Sequence, residues 1–168
     1  MKLNRRMARS LADLRSRNVG AEVALPGAAP GAGPKVQIVE ASGCYLLGGF
    51  VKRPHLSPAD FPDQTNLECS ANRLRMEAML DPRLATTAPL LLLTAGLVTA
   101  RAIAHELAGH AGRFNVIVSY DGESCTLRFH KVRKGQRWLA EDLEDYVDEG
   151  VLVVEAGGDL PWPAALPG

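Results

Sequence analysis

Residues 105–110 read His-Glu-Leu-Ala-Gly-His. Two histidines flanking a glutamate near a helix end are the side chains a zinc hydrolase needs: two neutral imidazoles for the metal and a carboxylate to take a proton from its water. The spacing decides whether they converge. The usual zinc-protease motif places its histidines four apart, on one helical face. Here they are five apart, about 140° around a regular helix axis. Gly109 and Gly112 also place the second histidine where the helix should stop.

The string resembles the HELLGH motif of the dipeptidyl peptidase III family, whose zinc site tolerates that extra residue. The resemblance implies His105 and His110 as zinc ligands and Glu106 as general base. It covers six residues. The family's third ligand, a Glu from a paired-Glu motif followed by Cys and Arg, has no counterpart; Gly122-Glu123-Ser124-Cys125 comes nearest and falls at an expected hairpin turn. The alternative reading is structural, with Glu106 solvated and His110 favouring the C-terminal helix dipole. His55 and His130 lack acid–base partners at readable spacing, and Gly48-Gly49 reads as a bulge. No nucleophile elbow, phosphate loop or dinucleotide fingerprint occurs.

The second concentration of chemistry is charge. Glu141, Asp142, Glu144, Asp145, Asp148 and Glu149 put six acids within nine residues, directly after Lys131, Arg133, Lys134 and Arg137. Leu139, Leu143, Tyr146 and Val147 form an apolar stripe, so the spacing predicts a short acidic helix over Trp138 to Asp148. Such a run is either a solvated face with locally paired neighbours or a docking face for a basic partner, where charge raises encounter rate and selects partners.

Around these residues the composition is that of an ordinary soluble domain: 168 residues, 46 % hydrophobic and 23 % charged, with nineteen basic residues balancing nineteen acidic ones. The balance argues against a general nucleic-acid coat. Cys44, Cys69 and Cys125 form no close pair, which points to buried free thiols in a reducing cytoplasm rather than a disulfide framework or a zinc site. Ala85 to Ala100 is uncharged but only 16 residues long, where a membrane span needs about 20.

Along the chain, residues 1–20 predict a basic amphipathic helix striped by Leu3, Met7, Leu11 and Leu14, packed on the body with its arginines in water. It has no apolar segment of the secretory kind. Residues 21–34 form an Ala/Gly/Pro linker, 35–155 the α+β domain, and 156–168 a Gly/Pro tail with Trp162 as a possible anchor. Within the domain, residues 35–52 predict a hairpin turning at Ser42-Gly43, and 53–65 a loop. Leu67 to Met76 predict a strand with a bulge near Asn72. A long buried helix starts at Pro89, capped by Thr86 or Thr87, with Leu90, Leu93, Leu97, Ala100, Ala104 and Leu107 on its inner face and Leu91, Val98 and Ala102 widening it. Residues 114–130 predict a hairpin turning at DGES, and Gly150 to Glu155 a last buried strand. The fold class is α+β: a mostly antiparallel sheet of about six strands, one long buried helix, one short acidic helix and the basic N-terminal helix. The expected core is Leu93, Leu97, Ala104, Val116, Val118, Leu127, Phe129, Leu143, Leu152 and Val154.

The segment from Phe114 to Glu155 is similar to the C-terminal part of small bacterial immunity or antitoxin-type proteins. The hairpin, Arg128-Phe129-His130, the Trp-Leu-Ala-x-Asp-Leu-Glu string from Trp138 and the closing apolar strand carry the likeness, over about a quarter of the chain. It implies a protein that binds one cognate toxin and blocks it, with no chemistry of its own. Taken with the thiols and the charge run, the expectation is a cytoplasmic, non-enzymatic protein without cofactor or metal, binding a basic toxin domain through Glu141, Asp142, Glu144, Asp145, Asp148 and Glu149. The alternatives are a small zinc-dependent hydrolase built on His105, Glu106 and His110, and a structural or assembly subunit using the basic N-terminal arm.

Overall fold

Alternation of apolar and polar residues builds the centre of the molecule. In the computed structural model, which describes residues 1–17, 34–48, 57–81, 83 and 88–157, strand β5 (Phe114–Tyr120) lies between β6 (Cys125–Lys131) and β7 (Gly150–Ala156). The two-residue strands β1 (Lys2–Leu3) and β4 (Leu74–Arg75) complete a five-stranded sheet in the order β1-β7-β5-β6-β4, antiparallel throughout. Val116 stands opposite both Phe129 and Val154, and Val118 opposite both Leu127 and Leu152. Those side chains make one face of the sheet wholly apolar and buried.

Helix α3 (Pro89–Leu107) covers that face. Pro89 occupies its first turn, as expected; Ala88 precedes it without a side-chain cap, and Thr86 and Thr87 lie outside the described residues. The buried stripe runs through Leu93, Leu97, Ala100 and Leu107 as the spacing predicts, but it widens toward Leu92, Gly96, Thr99 and Ile103. Leu91, Val98, Ala102 and Ala104 are only half-buried. The helix is long and apolar enough to cross a membrane by composition, yet its apolar side chains are mostly spent on the sheet.

Helix α1 (Arg5–Ser16) buries Met7, Leu11 and Leu14 in the same core, leaving its arginines outside. Leu3 departs from the expected helical stripe: it pairs with Leu152 in β1. The hairpin of β2 (Ile38–Ala41) and β3 (Cys44–Leu47) turns at Ser42 and Gly43, both at positive φ (52° and 75°), the backbone a two-residue hairpin turn of the primed kind requires. The continuation at Gly49, His55, most of the 21–34 linker and Trp162 lie outside the described residues.

Two expected elements are different. Residues 64–71 form helix α2 (Gln64–Ala71), not a strand. Asp63 caps it by accepting from the Asn66 amide at 2.8 Å, and its short alternation is outweighed by the placement of Glu68 and Asn72 four apart on one helical face. Glu68 accepts from the Tyr45 amide (2.7 Å) and the Lys131 amide (2.8 Å). Asn72 accepts from the Leu47 amide (3.0 Å) and donates to the carbonyls of Tyr45 and Phe129. A helix side thus pairs with the edges of β3 and β6, closing backbone groups that a sheet edge would otherwise leave open. The second difference is the acidic segment, described below.

Candidate functional site

Residues 105–110 do not stay on one helix. α3 ends at Leu107, and the His110 amide donates to the Leu107 carbonyl at 3.0 Å. His105 is exposed, Glu106 half-buried, and the His110 ring packs edge-on against Tyr45 with centroids 5.4 Å apart. Among the described residues no three His, Cys, Asp or Glu side chains gather closely enough to hold a metal. Cys44, Cys69 and Cys125 are free and buried, and burial pushes all three thiols up, away from the thiolate that a nucleophile needs.

The acidic segment is an ordered connection between β6 and β7, not the expected helix over 138–148; its only helical piece is one 3-10 turn at Leu143–Asp145. The reason sits at the other end of the chain. Asn4, 2 % exposed, caps α1 by accepting from the Met7 amide at 3.0 Å, and the same oxygen accepts from the Val151 amide at 3.0 Å. Its Nδ2 donates to the carbonyls of Leu143 (3.3 Å), Tyr146 (3.2 Å) and Glu149 (2.9 Å). These carbonyls point inward at one amide instead of along a helix axis. Tyr146 braces the segment further, its hydroxyl accepting from the Ala140 amide at 2.9 Å.

The other face of the sheet receives this connection. Ile117, Val151 and Cys69 form a second small core there, with Trp138, Leu139, Leu143, Tyr146 and Val153 packed against it. Leu143 and Tyr146 therefore point inward as the spacing predicts, though Leu143 is only half-buried and belongs to this second core. Val147 does not: it is 72 % exposed.

Glu141, Asp142, Glu144, Asp145 and Asp148 are exposed around it, and Glu149 is half-buried. Some of their capacity is used locally. Asp142 accepts from the Glu144 amide, Glu144 accepts from the Arg5 amide at 3.0 Å, and Glu141 lies 3.6 Å from Arg137 with both side chains largely in water. Arg6 donates to the Val147 carbonyl at 3.3 Å. Asp145 and Asp148 make no ion pair among the described residues.

Beside the turn, an open groove of about 420 Å³ runs over the second sheet face between Trp138, Val153, Asn115 and His130. Arg113 and Glu155 close one side through two hydrogen bonds of 2.7 and 2.5 Å; that contact holds the Glu155 carboxyl below the usual range and raises the Arg113 guanidinium. His130, 5 % exposed, is kept neutral by burial, which lowers its pKa against the opposing pull of the Lys131 carbonyl. That carbonyl, 2.9 Å from Nδ1, has no proton to give, so Nδ1 donates.

The inner support of the site is ionic. Arg133 donates to both oxygens of the fully buried Glu68 at 2.7 and 2.8 Å and to the Gly43 carbonyl at 2.8 Å. This contact raises the guanidinium further. Arg133 therefore belongs to the scaffold rather than to an exposed basic loop. The sequence pattern does not single out Asn4 or Glu68, and it places Val147 on the inner face, whereas the structure exposes it. An asparagine preceding an apolar helical stripe is a legible cap, but nothing local to it discloses the carbonyls of residues 143–149.

No curated protein and no solved structure matches the chain. Residues 2–159, from the first strand through the last, match one described family, and the chain belongs to it: the Uncharacterized protein PM0498 family.

Proposed function

We propose that this chain is a cytoplasmic, non-enzymatic protein-binding module, an immunity protein that neutralises a cognate bacterial toxin by docking it on Glu141, Asp142, Glu144, Asp145, Asp148 and Glu149. The observation that carries the reading is Val147. A valine 72 % exposed in a braced acidic turn gives the layout of an interface centre, an apolar contact inside a charged rim. The rim attracts a basic surface and orients it; the valine gives the contact a centre to desolvate. Because Asn4 holds the turn from inside the fold, its acids are displayed with little ordering left to do on binding. The buried free thiols support a reducing compartment.

The test is co-expression with the product of an adjacent toxin-like reading frame. Wild type should protect cells, and Val147→Asp should lose protection while remaining folded, since the side chain it replaces lies in solvent. Full protection by Val147→Asp would remove the turn from the interface.

A further inference from the structure

A second feature of the turn's side of the molecule is an arginine with no counter-ion. Arg128 stands on β6 opposite Ile117, on the face covered by Trp138, and its guanidinium carbon lies 5.5 Å from the centre of the Trp138 ring. Its Nε is buried without a hydrogen-bond partner, and among the described residues the side chain meets no carboxylate. The pairing of β4 with β6 sets Leu74 opposite Leu127 and Arg75 opposite Thr126. One further step in the same register brings Arg73, which is exposed, beside Arg128. Two cations facing each other across a sheet edge oppose its pairing. Burial and the neighbouring Arg73 both lower the Arg128 pKa, against a weaker opposing pull from Glu149, with which it forms no ion pair.

We propose that Arg73 and Arg128 form an oxyanion site that takes a carboxylate side chain of the protein partner. Only the source of the carboxylate rests on the binding reading above. The Trp138 ring lies on one side of the Arg128 guanidinium, 5.5 Å from its carbon, and with Nε buried the two terminal nitrogens are the planar fork that suits a carboxylate approaching with two parallel hydrogen bonds. Arg73 adds a second charge from the exposed side. The nearby Glu149 disfavours a doubly charged phosphate, so the single charge of a carboxylate fits best. The partner surface is thereby specified in two parts, basic residues opposite the acidic turn and an acid opposite the arginine pair, a pattern that sets register as well as affinity.

The experiment has a free-anion arm and a partner arm. Labelled protein is titrated with sodium acetate against sodium chloride at constant ionic strength, following the Arg128 Nε–H and Trp138 indole N–H resonances. Acetate should produce saturable shifts; Arg73→Gln should weaken acetate by roughly tenfold, the loss of one charge-assisted hydrogen bond. Arg128→Lys, which keeps the charge but not the fork, should weaken it comparably. Shifts that do not saturate, or an unchanged acetate affinity in Arg73→Gln, overturn the site. In the second arm, Arg73→Glu should speed dissociation of the neighbouring gene product by tenfold or more, whereas substitutions in the acidic turn act on association. Acetate binding with unchanged partner dissociation would overturn the partner as the source. The acetate arm needs no partner, so failure of the immunity reading leaves it standing.

Discussion

The side-chain oxygen of Asn4 accepts a hydrogen bond from the amide of Val151, 147 residues further along the chain, at 3.0 Å. The bond fastens the start of α1 to the start of β7. Together with the three carbonyls on Nδ2, it makes one small side chain the anchor of the whole acidic connection.

Asn4→Ala should therefore cost about 2–4 kcal/mol, combining a lost helix cap with a buried amide left unpaired. Hydrogen exchange should quicken across residues 143–149. Asn4→Asp separates the roles: it keeps the acceptor for Met7 and Val151 but loses the donors to Leu143, Tyr146 and Glu149. Its cap should survive while the turn loosens. Denaturant titration with amide exchange checks both, and a loss within about 0.5 kcal/mol for Asn4→Ala would mean that the anchor is dispensable.

Helix α3 gives a sharper packing test than a simple truncation. Gly96→Ala should gain about 1 kcal/mol of helix propensity. A Cβ there would stand 2.5 Å from Cys125 Sγ, however, in a fully buried contact between helix and sheet. The expected outcome is a net loss of about 1–3 kcal/mol from overpacking. Adding Cys125→Ala should recover part of it. A single variant more stable than wild type would show the helix lying farther from the sheet.

Stability should also depend on pH through His130. Its folded pKa lies below the ordinary histidine value, so the unfolded chain binds the proton first as pH falls. The contribution is complete above pH about 6.5 and is lost as pH drops through the window between that value and the lower folded one, at no more than about 1.4 kcal/mol per pH unit. His130→Gln should flatten this part of the profile. Midpoints measured from pH 8 to pH 5.5 read it directly.

How far the sequence discloses this arrangement depends on where each decision is made. The hairpin of β5 and β6 was legible because strict alternation and Asp121-Gly122 agree, and the α3 helix because proline, leucine spacing and glycines agree. In the expected strand over Leu67–Met76, Leu74 and Arg75 do pair in the sheet, but Leu67 to Ala71 are helical: five residues of alternation look like a strand, while the deciding partners of Glu68 and Asn72 lie on β3 and β6, at least 23 residues away. The acidic segment was misread because Leu139, Leu143 and Tyr146 have a spacing that serves a helix and equally a braced turn laid on a sheet. What separates the two is Asn4, and that contact exists only after the ends of the chain have met. The acids themselves were legible as an exposed group. Val147 was placed on the wrong side for the same reason as the helix.

The measurement that bears most directly on a protein-binding acidic turn is the association rate of this chain with the neighbouring gene product, taken at low and high salt for wild type and for Asp145→Lys with Asp148→Lys. These two acids are exposed and make no ion pair among the described residues, so the fold should be unaffected. The double reversal should slow association by roughly tenfold or more at low salt, flatten its salt dependence, and leave dissociation nearly unchanged, the behaviour of charges that steer an encounter. Equal association rates for wild type and variant at both salt concentrations would contradict the turn as the docking surface.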